Sequence, residues 1–183
     1  MTTVLLLTGH IGIGKSTVAA RVVALAQERG LRCDGLLCQA RLDESGHKVG
    51  IDGFRLGTGE RRPLADKDLS QPGVRCGIWR FEPGAMEWSL AVALDAVRQR
   101  PDVLVVDEIG PMELLENRGL APVIPELRAG KVPLAIVLVR IGFLAALMER
   151  LAGCDLKVYE VTRATRDALP EQIAREWLCG SAP

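Results

Sequence analysis

The chain has 183 residues, 48% of them hydrophobic, and its 23 basic side chains balance 23 acidic ones. That length predicts one domain, residues 1–183, with enough apolar material for a sizeable core. Net neutrality removes the electrostatic case for a nucleic-acid or anionic-membrane partner, and no apolar run reaches the roughly 20 residues that span a bilayer.

Met1-Thr2-Thr3 carries no basic n-region, and the apolar run Val4–Leu7 is too short for a signal-peptide core, so the cytoplasm is the expected compartment. Val4–Leu7 instead reads as a buried strand. The next ten residues, Thr8-Gly9-His10-Ile11-Gly12-Ile13-Gly14-Lys15-Ser16-Thr17, fit the pattern G-x-x-x-x-G-K-[ST] at every fixed position. Val18, Ala19, Val22, Val23, Leu25 and Ala26 then recur at helical spacing, which predicts a helix from Ser16 to about Arg29, ended by Gly30. Cys33–Arg41 and Lys48–Leu56 read as strands around the turn Asp43-Glu44-Ser45-Gly46. Residues 57–83 are rich in Gly, Pro and charge and read as short strands and loops, with Arg75–Phe81 the best strand candidate. Residues 33–81 thus form an expected β-rich insertion.

Past the break at Glu82-Pro83-Gly84, Ala85–Gln99 has helical periodicity, and Asp102–Glu108 is a second buried strand ending in two acids. Gly110-Pro111 breaks the chain. A helix over Leu120–Arg128, opened by Pro122, precedes a third strand, Leu134–Val139. A helix over Phe143–Leu151, a fourth strand over Leu156–Val161 and a closing helix over Asp167–Leu178, with Pro170 in its first turn, complete the pattern. Apolar strands alternating with amphipathic helices predict an α/β fold, a mostly parallel sheet with helices on both faces.

A strand, a glycine loop and a new helix are what phosphate binding needs. Glycines let successive backbone N–H groups turn inward on an anion, and the helix aims its positive dipole end at the same spot. Lys15 can then reach the β- and γ-phosphates and the Ser16 hydroxyl can bind Mg²⁺. The strand ending in Asp107-Glu108 supplies the complement: Asp107 as a Mg²⁺ ligand and Glu108 as the base or water-positioner for attack on the γ-phosphate. The candidate nucleotide-binding residues are therefore Gly9, His10, Ile11, Gly12, Ile13, Gly14, Lys15, Ser16, Thr17, Asp107, Glu108, Ile109 and Gly110. Ser16 and Asp107 are the candidate metal ligands, and Lys15 and Glu108 the candidate catalytic residues.

Other residues carry weaker signals. Glu113, near a helix start, suits a dipole role as well as a catalytic one. Arg140, Arg150, Arg163 and Arg166 are possible sources of a charge-neutralising arginine. Trp79 suits base stacking or the core. The five cysteines, Cys33, Cys38, Cys76, Cys154 and Cys179, have no metal-ligand spacing and read as reduced, structural thiols. The guanine-reading pattern [NT]-K-x-D is absent.

With both motifs placed, the chain resembles the cancer-related nucleoside-triphosphatase family, small P-loop proteins of thermophilic prokaryotes and eukaryotes. Asp34-Gly35-Leu36-Leu37 is similar to its D-G-F strand, and His47-Lys48-Val49-Gly50-Ile51-Asp52 to its R-R-I-G-F-D segment. Arg75-Cys76-Gly77 resembles its R-V-G. Asp107-Glu108-Ile109-Gly110 matches its D-E-I-G, with Met112-Glu113-Leu114 following as in the family, and Val158-Tyr159-Glu160-Val161-Thr162-Arg163 resembles its V-F-x-V-T-K. The departures are His10 and Ile11 for loop prolines, Gln39-Ala40 for acids, Pro111 for a basic residue and Thr165 for an asparagine. The resemblance implies a RecA-like P-loop core with a β-insertion. It also implies slow, Mg²⁺-dependent hydrolysis of ATP, GTP, CTP and UTP to diphosphates with little base selectivity. Two alternatives stand beside hydrolysis. A nucleotide or small-molecule kinase would need a water-excluding, Arg-rich lid, and between Val139 and Leu156 only Arg140 and Arg150 occur. A nucleotide-dependent binding factor with negligible turnover would use the same loop. A protein partner and the oligomeric state are not legible.

Overall fold

The computed structural model describes residues 1–178. Nine strands form one sheet, β1 Thr3–Gly9, β2 Cys33–Leu42, β3 Lys48–Arg55, β4 Arg61–Asp66, β5 Val74–Cys76, β6 Trp79–Phe81, β7 Val103–Ile109, β8 Leu134–Arg140 and β9 Asp155–Glu160, in the order β5-β6-β4-β3-β2-β7-β8-β1-β9. The helices are α1 Lys15–Glu28, α2 Ala85–Gln99, α3 Pro111–Leu114, α4 Val123–Arg128, α5 Leu144–Arg150, entered through a 3₁₀ turn at Ile141–Phe143, and α6 Leu169–Trp177. No helix among the described residues is long and apolar enough to cross a membrane.

The half of the sheet from β2 to β9 is parallel; β1, β7 and β8 are covered on both faces, while β9 is a part-exposed edge strand. Alternation sorts their side chains into two cores. Leu5, Leu7, Val103, Val105, Ile136 and Leu138 pack with Val18, Val22 and Ala26 of α1 and Ile173 of α6. Val4, Leu6, Leu104, Val106, Val137 and Val139 pack with Val92 and Ala96 of α2, Val123 and Leu127 of α4 and Leu147 of α5. Double burial is why β1, β7 and β8 read as unbroken apolar runs.

The other half is antiparallel. It begins inside β2 rather than at residue 33: Cys33–Leu36 pairs in parallel with Val103–Val106, and Leu36–Leu42 pairs with β3. Gly35 makes the crossing possible. It has φ +124°, and a Cβ there would stand 2.1 Å from the Val105 carbonyl oxygen. Asp34 beside it is buried and held by Arg55, which also reaches Asp95 on α2 at 2.6 Å.

Several elements differ from the expectation. The single strand expected over Arg75–Phe81 is a hairpin, β5 with β6, reversing at Gly77 with φ +60°. β4 is one of the short strands expected within 57–83, its bounds not legible because its run Arg-Arg-Pro-Leu-Ala-Asp buries only Leu64 and Ala65. The break at Gly110-Pro111 opens the short α3, and α4 starts at Val123 with Pro122 as its cap. Cys33, Cys38 and Cys154 are free thiols. Cys179 and the Cys76 side chain lie outside what the structure describes.

Candidate active site

The sheet order brings three strand ends together. β8 lies between β1 and β7, with Gly9 of β1 opposite Arg140 and Ile109 of β7 opposite Val139. The loop from His10 to Gly14 leaves the end of β1 and runs into α1, whose N-terminus faces the ends of β7 and β8. Gly9 has φ +147°, and a Cβ there would stand 2.6 Å from the Val161 carbonyl oxygen. Gly12 and Gly14 also take positive φ, 77° and 111°. His10, Ile11, Gly12 and Thr17 are exposed, and Ile13 packs against the α1 core.

Lys15 is 6% exposed. Its ammonium donates to the carbonyls of Gly9 at 3.2 Å and His10 at 3.3 Å, and stands 3.5 Å from the Glu108 carboxylate. The other Glu108 oxygen accepts from Arg140 Nε at 2.6 Å. Glu108 therefore bridges two cations, one from the loop and one from the end of β8.

Asp107 is buried. It accepts from the Cys38 backbone N–H at 2.9 Å, the Ser16 hydroxyl lies beside it, and the Cys38 thiol donates to the Asp107 carbonyl at 3.0 Å. Burial pushes the Asp107 carboxyl up to about 7, and Glu108 adds to the rise; the Cys38 and Ser16 hydrogen bonds and Lys15 oppose it. A buried carboxylate beside a hydroxyl, bonded to neutral donors, is a hard oxygen pair. Such a pair fits Mg²⁺, which takes one or two protein oxygens and fills the rest of its octahedron with water and phosphate.

The structure thus brings Lys15, Ser16, Asp107 and Glu108 into one cluster. Two other candidates face elsewhere. The Ile109 side chain is in the core, and the Gly110 N–H donates to Glu113 at 2.9 Å. Glu113 is buried, and its second oxygen accepts from the Leu120 N–H at 3.3 Å. It ties the start of α3 to the segment before α4, and burial raises its carboxyl above the ordinary range. Of the four arginines, Arg150 donates to the Leu114 carbonyl and to Asn117, both at 3.2 Å. Arg166 lies against the loop, with its Cδ 3.9 Å from where a Gly14 Cβ would be. Arg163 is exposed, and Arg140 alone of the four contacts the acid pair. Trp79 is half-buried under two lysines, Lys48 at 4.9 Å and Lys67 at 5.6 Å from its ring centre.

Sequence reasoning missed Cys38 and left Arg140 among equals. The one legible signal for Arg140 was its place directly after the third buried strand. Once that strand lies between the loop strand and the acid strand, the residue at its end must face both.

A parallel sheet in which the loop strand and the acid strand are separated by one strand is the RecA-like form of the P-loop NTPase fold. Comparison with known proteins agrees. A family model described as NTPase matches residues 4–174. The chain is 36% identical over 174 residues to the nucleoside-triphosphatase THEP1 of Thermofilum pendens, covering 93% of each chain. It is 33% identical over 178 residues to the THEP1 of Methanopyrus kandleri, covering 94% of this chain and 95% of the relative. Among solved structures, THEP1 from Aquifex aeolicus superposes with a TM-score of 0.70 at 19% identity, covering 95% of this chain and 98% of that one. A human cancer-related nucleoside triphosphatase superposes at 0.69 and 24% identity over the full length of both. The chain belongs to this NTPase family.

Proposed function

We propose that this chain is a cytoplasmic nucleoside-triphosphate phosphohydrolase that converts ATP, GTP, CTP and UTP to the diphosphate and phosphate with Mg²⁺ and little base selectivity. Family membership supports the phosphohydrolase activity. The observation that carries the residue roles is the Lys15–Glu108–Arg140 chain of charges beside the Ser16–Asp107 pair.

The loop amides and the α1 N-terminus receive the phosphates. Lys15 exchanges its carbonyl and carboxylate partners for β- and γ-phosphate oxygens. Ser16 and Asp107 would hold Mg²⁺, which would supply positive charge to the bound phosphates. Glu108, steadied by Arg140, orients the attacking water and accepts its proton as the bond to the γ-phosphorus forms and the bond to the leaving diphosphate oxygen breaks. The Arg140 guanidinium is then one residue away from the charge that builds on the γ-phosphate.

The test is phosphate release from the four triphosphates by the purified protein, with Mg²⁺ and with chelator, beside a Lys15→Ala variant. Release should need Mg²⁺ and should fall by about 10²-fold or more in the variant, since Lys15 acts on charge that grows in the transition state. A variant that hydrolyses at the wild-type rate would remove Lys15 from the mechanism. Binding without release would favour a binding factor, and transfer to an added acceptor would favour a kinase.

A further inference from the structure

Asp107 and Glu108 both reach the start of α1, Asp107 beside Ser16 and Glu108 beside Lys15. Neighbours on a regular strand point to opposite faces, so β7 must depart from regular pairing to present both. Its ladder with β2 covers Val103–Val106, and its ladder with β8 covers the same residues and resumes at Ile109. The two acids lie outside both ladders, and a buried main chain outside a ladder needs other partners.

Cys38 supplies them to Asp107. It stands two residues past Leu36, the last residue of β2 that pairs with β7, and is already opposite Gly53 of β3. From there its backbone N–H donates to Asp107 Oδ2 at 2.9 Å and its thiol to the Asp107 carbonyl at 3.0 Å. One residue thus holds the side chain and the main chain of the same acid. The N–H restrains rotation of the carboxylate, and the thiol restrains the peptide from which that carboxylate projects. The Cys38 side chain is half-buried and packs against the core that α2 covers, so the donor itself has little freedom. Cys33 offers the contrast. It lies at the other end of the ladder, opposite Val103, and its thiol has only longer contacts, to the Leu31 carbonyl at 3.7 Å and the Val23 carbonyl at 4.0 Å.

We propose that Cys38 is a positioning residue for the metal: its two hydrogen bonds set the angle at which the Asp107 carboxylate meets the Mg²⁺ it would share with Ser16. This rests on the reading of Ser16 and Asp107 as metal ligands. Mg²⁺ demands near-ideal octahedral geometry, so a ligand turned off its direction loses much of its worth. Groups that hold a metal ligand in place typically matter by about 10–100-fold in metal affinity or activity. The antiparallel extension thereby has a part in the chemistry, because β2 braces the acid strand where the ladders stop.

The experiment is Mn²⁺ binding followed by electron paramagnetic resonance, Mn²⁺ being an oxygen-seeking octahedral stand-in for Mg²⁺. It is run on the full chain with a non-hydrolysable ATP analogue, beside analogue binding in chelator and single-turnover hydrolysis across Mg²⁺ concentration. The variants are Cys38→Ala, Cys38→Val, Cys38→Ser and Cys33→Ala. Ala and Val remove the donor, and Val fills the space, so it supplies the readout if Cys38→Ala fails to fold. Both should weaken Mn²⁺ binding by about tenfold and raise the Mg²⁺ needed for half-maximal rate by a similar factor. Analogue affinity in chelator should stay at the wild-type value. Cys38→Ser, whose hydroxyl can donate to the same carbonyl, should recover most of the metal affinity. Cys33→Ala should lower the urea midpoint without moving Mn²⁺ affinity, which separates the loss of a buried thiol from the loss of this one. Wild-type Mn²⁺ affinity in Cys38→Ala or Cys38→Val, a Ser variant no better than Ala, or an equal effect from Cys33→Ala would overturn the proposal and leave the metal pair standing. Wild-type protein that binds the analogue but takes up no Mn²⁺ would overturn the metal pair and the proposal together.

Discussion

Asp107 and Glu108 are neighbours with different surroundings, and the difference divides their work. Asp107 is buried, bonded by the Cys38 N–H and flanked by the Ser16 hydroxyl. Glu108 is 24% exposed and shared by Lys15 and Arg140. Glu108→Gln keeps the size of the side chain and part of its hydrogen bonding but cannot take a proton. Turnover should fall by about 10²-fold or more while analogue binding changes little. Asp107→Asn should instead raise the Mg²⁺ concentration needed for half-maximal rate. Paired single-turnover and binding measurements separate the two, and full hydrolysis by Glu108→Gln would exclude it as the base. The grouping of Lys15, Ser16, Asp107 and Glu108 was legible in the chain because each motif is local and its spacing fixes its own geometry. Arg140 and Cys38 join the group through strand order alone, which a one-dimensional string leaves open.

The elements divide by what holds them. The central parallel strands β1, β7 and β8 are apolar on both faces, and their limits followed from that pattern to within a residue or two. The antiparallel strands are joined by charges that meet only once the strands have paired. Arg41 reaches Asp52 and Asp66, Arg61 also reaches Asp52, and Arg55 joins Asp34 to Asp95. Read along the chain, such residues do not separate strand from loop, which is why β4 had no predicted bounds and β5 and β6 were merged. The join between the halves is backbone against backbone at Gly35. Gly35→Ala should cost about 3 kcal/mol or more, since the methyl group would collide with the Val105 carbonyl and the φ is strained as well. Gly46→Ala, in the hairpin turn at φ +80° with open space around it, should cost only about 1–2 kcal/mol. Urea denaturation of the two variants makes the comparison, and equal losses would refute the collision argument.

For the molecule as a whole, two cores fix the sheet and the chemistry gathers at one edge of it, where strand ends and helix starts supply phosphate contacts. No guanine-reading motif accompanies them, and Thr165, whose hydroxyl bonds the Glu160 carbonyl at 2.9 Å, is committed to its own turn. Phosphate contacts should then carry most of the affinity. The kcat/KM values for ATP, GTP, CTP and UTP should lie within about tenfold, or ~1.4 kcal/mol. A hundredfold preference measured for one base would point to a dedicated pocket. The double pairing of β2 also decides how this chain can be taken apart. A recombinant that exchanged residues 43–47 would rewrite the tip of the β2–β3 hairpin and leave both ladders in register. A recombinant that excised the extension as a block from residue 33 would strip β7 of its neighbour and remove the Cys38 amide from Asp107. The extension can be trimmed from its far end, but it has no seam at its root.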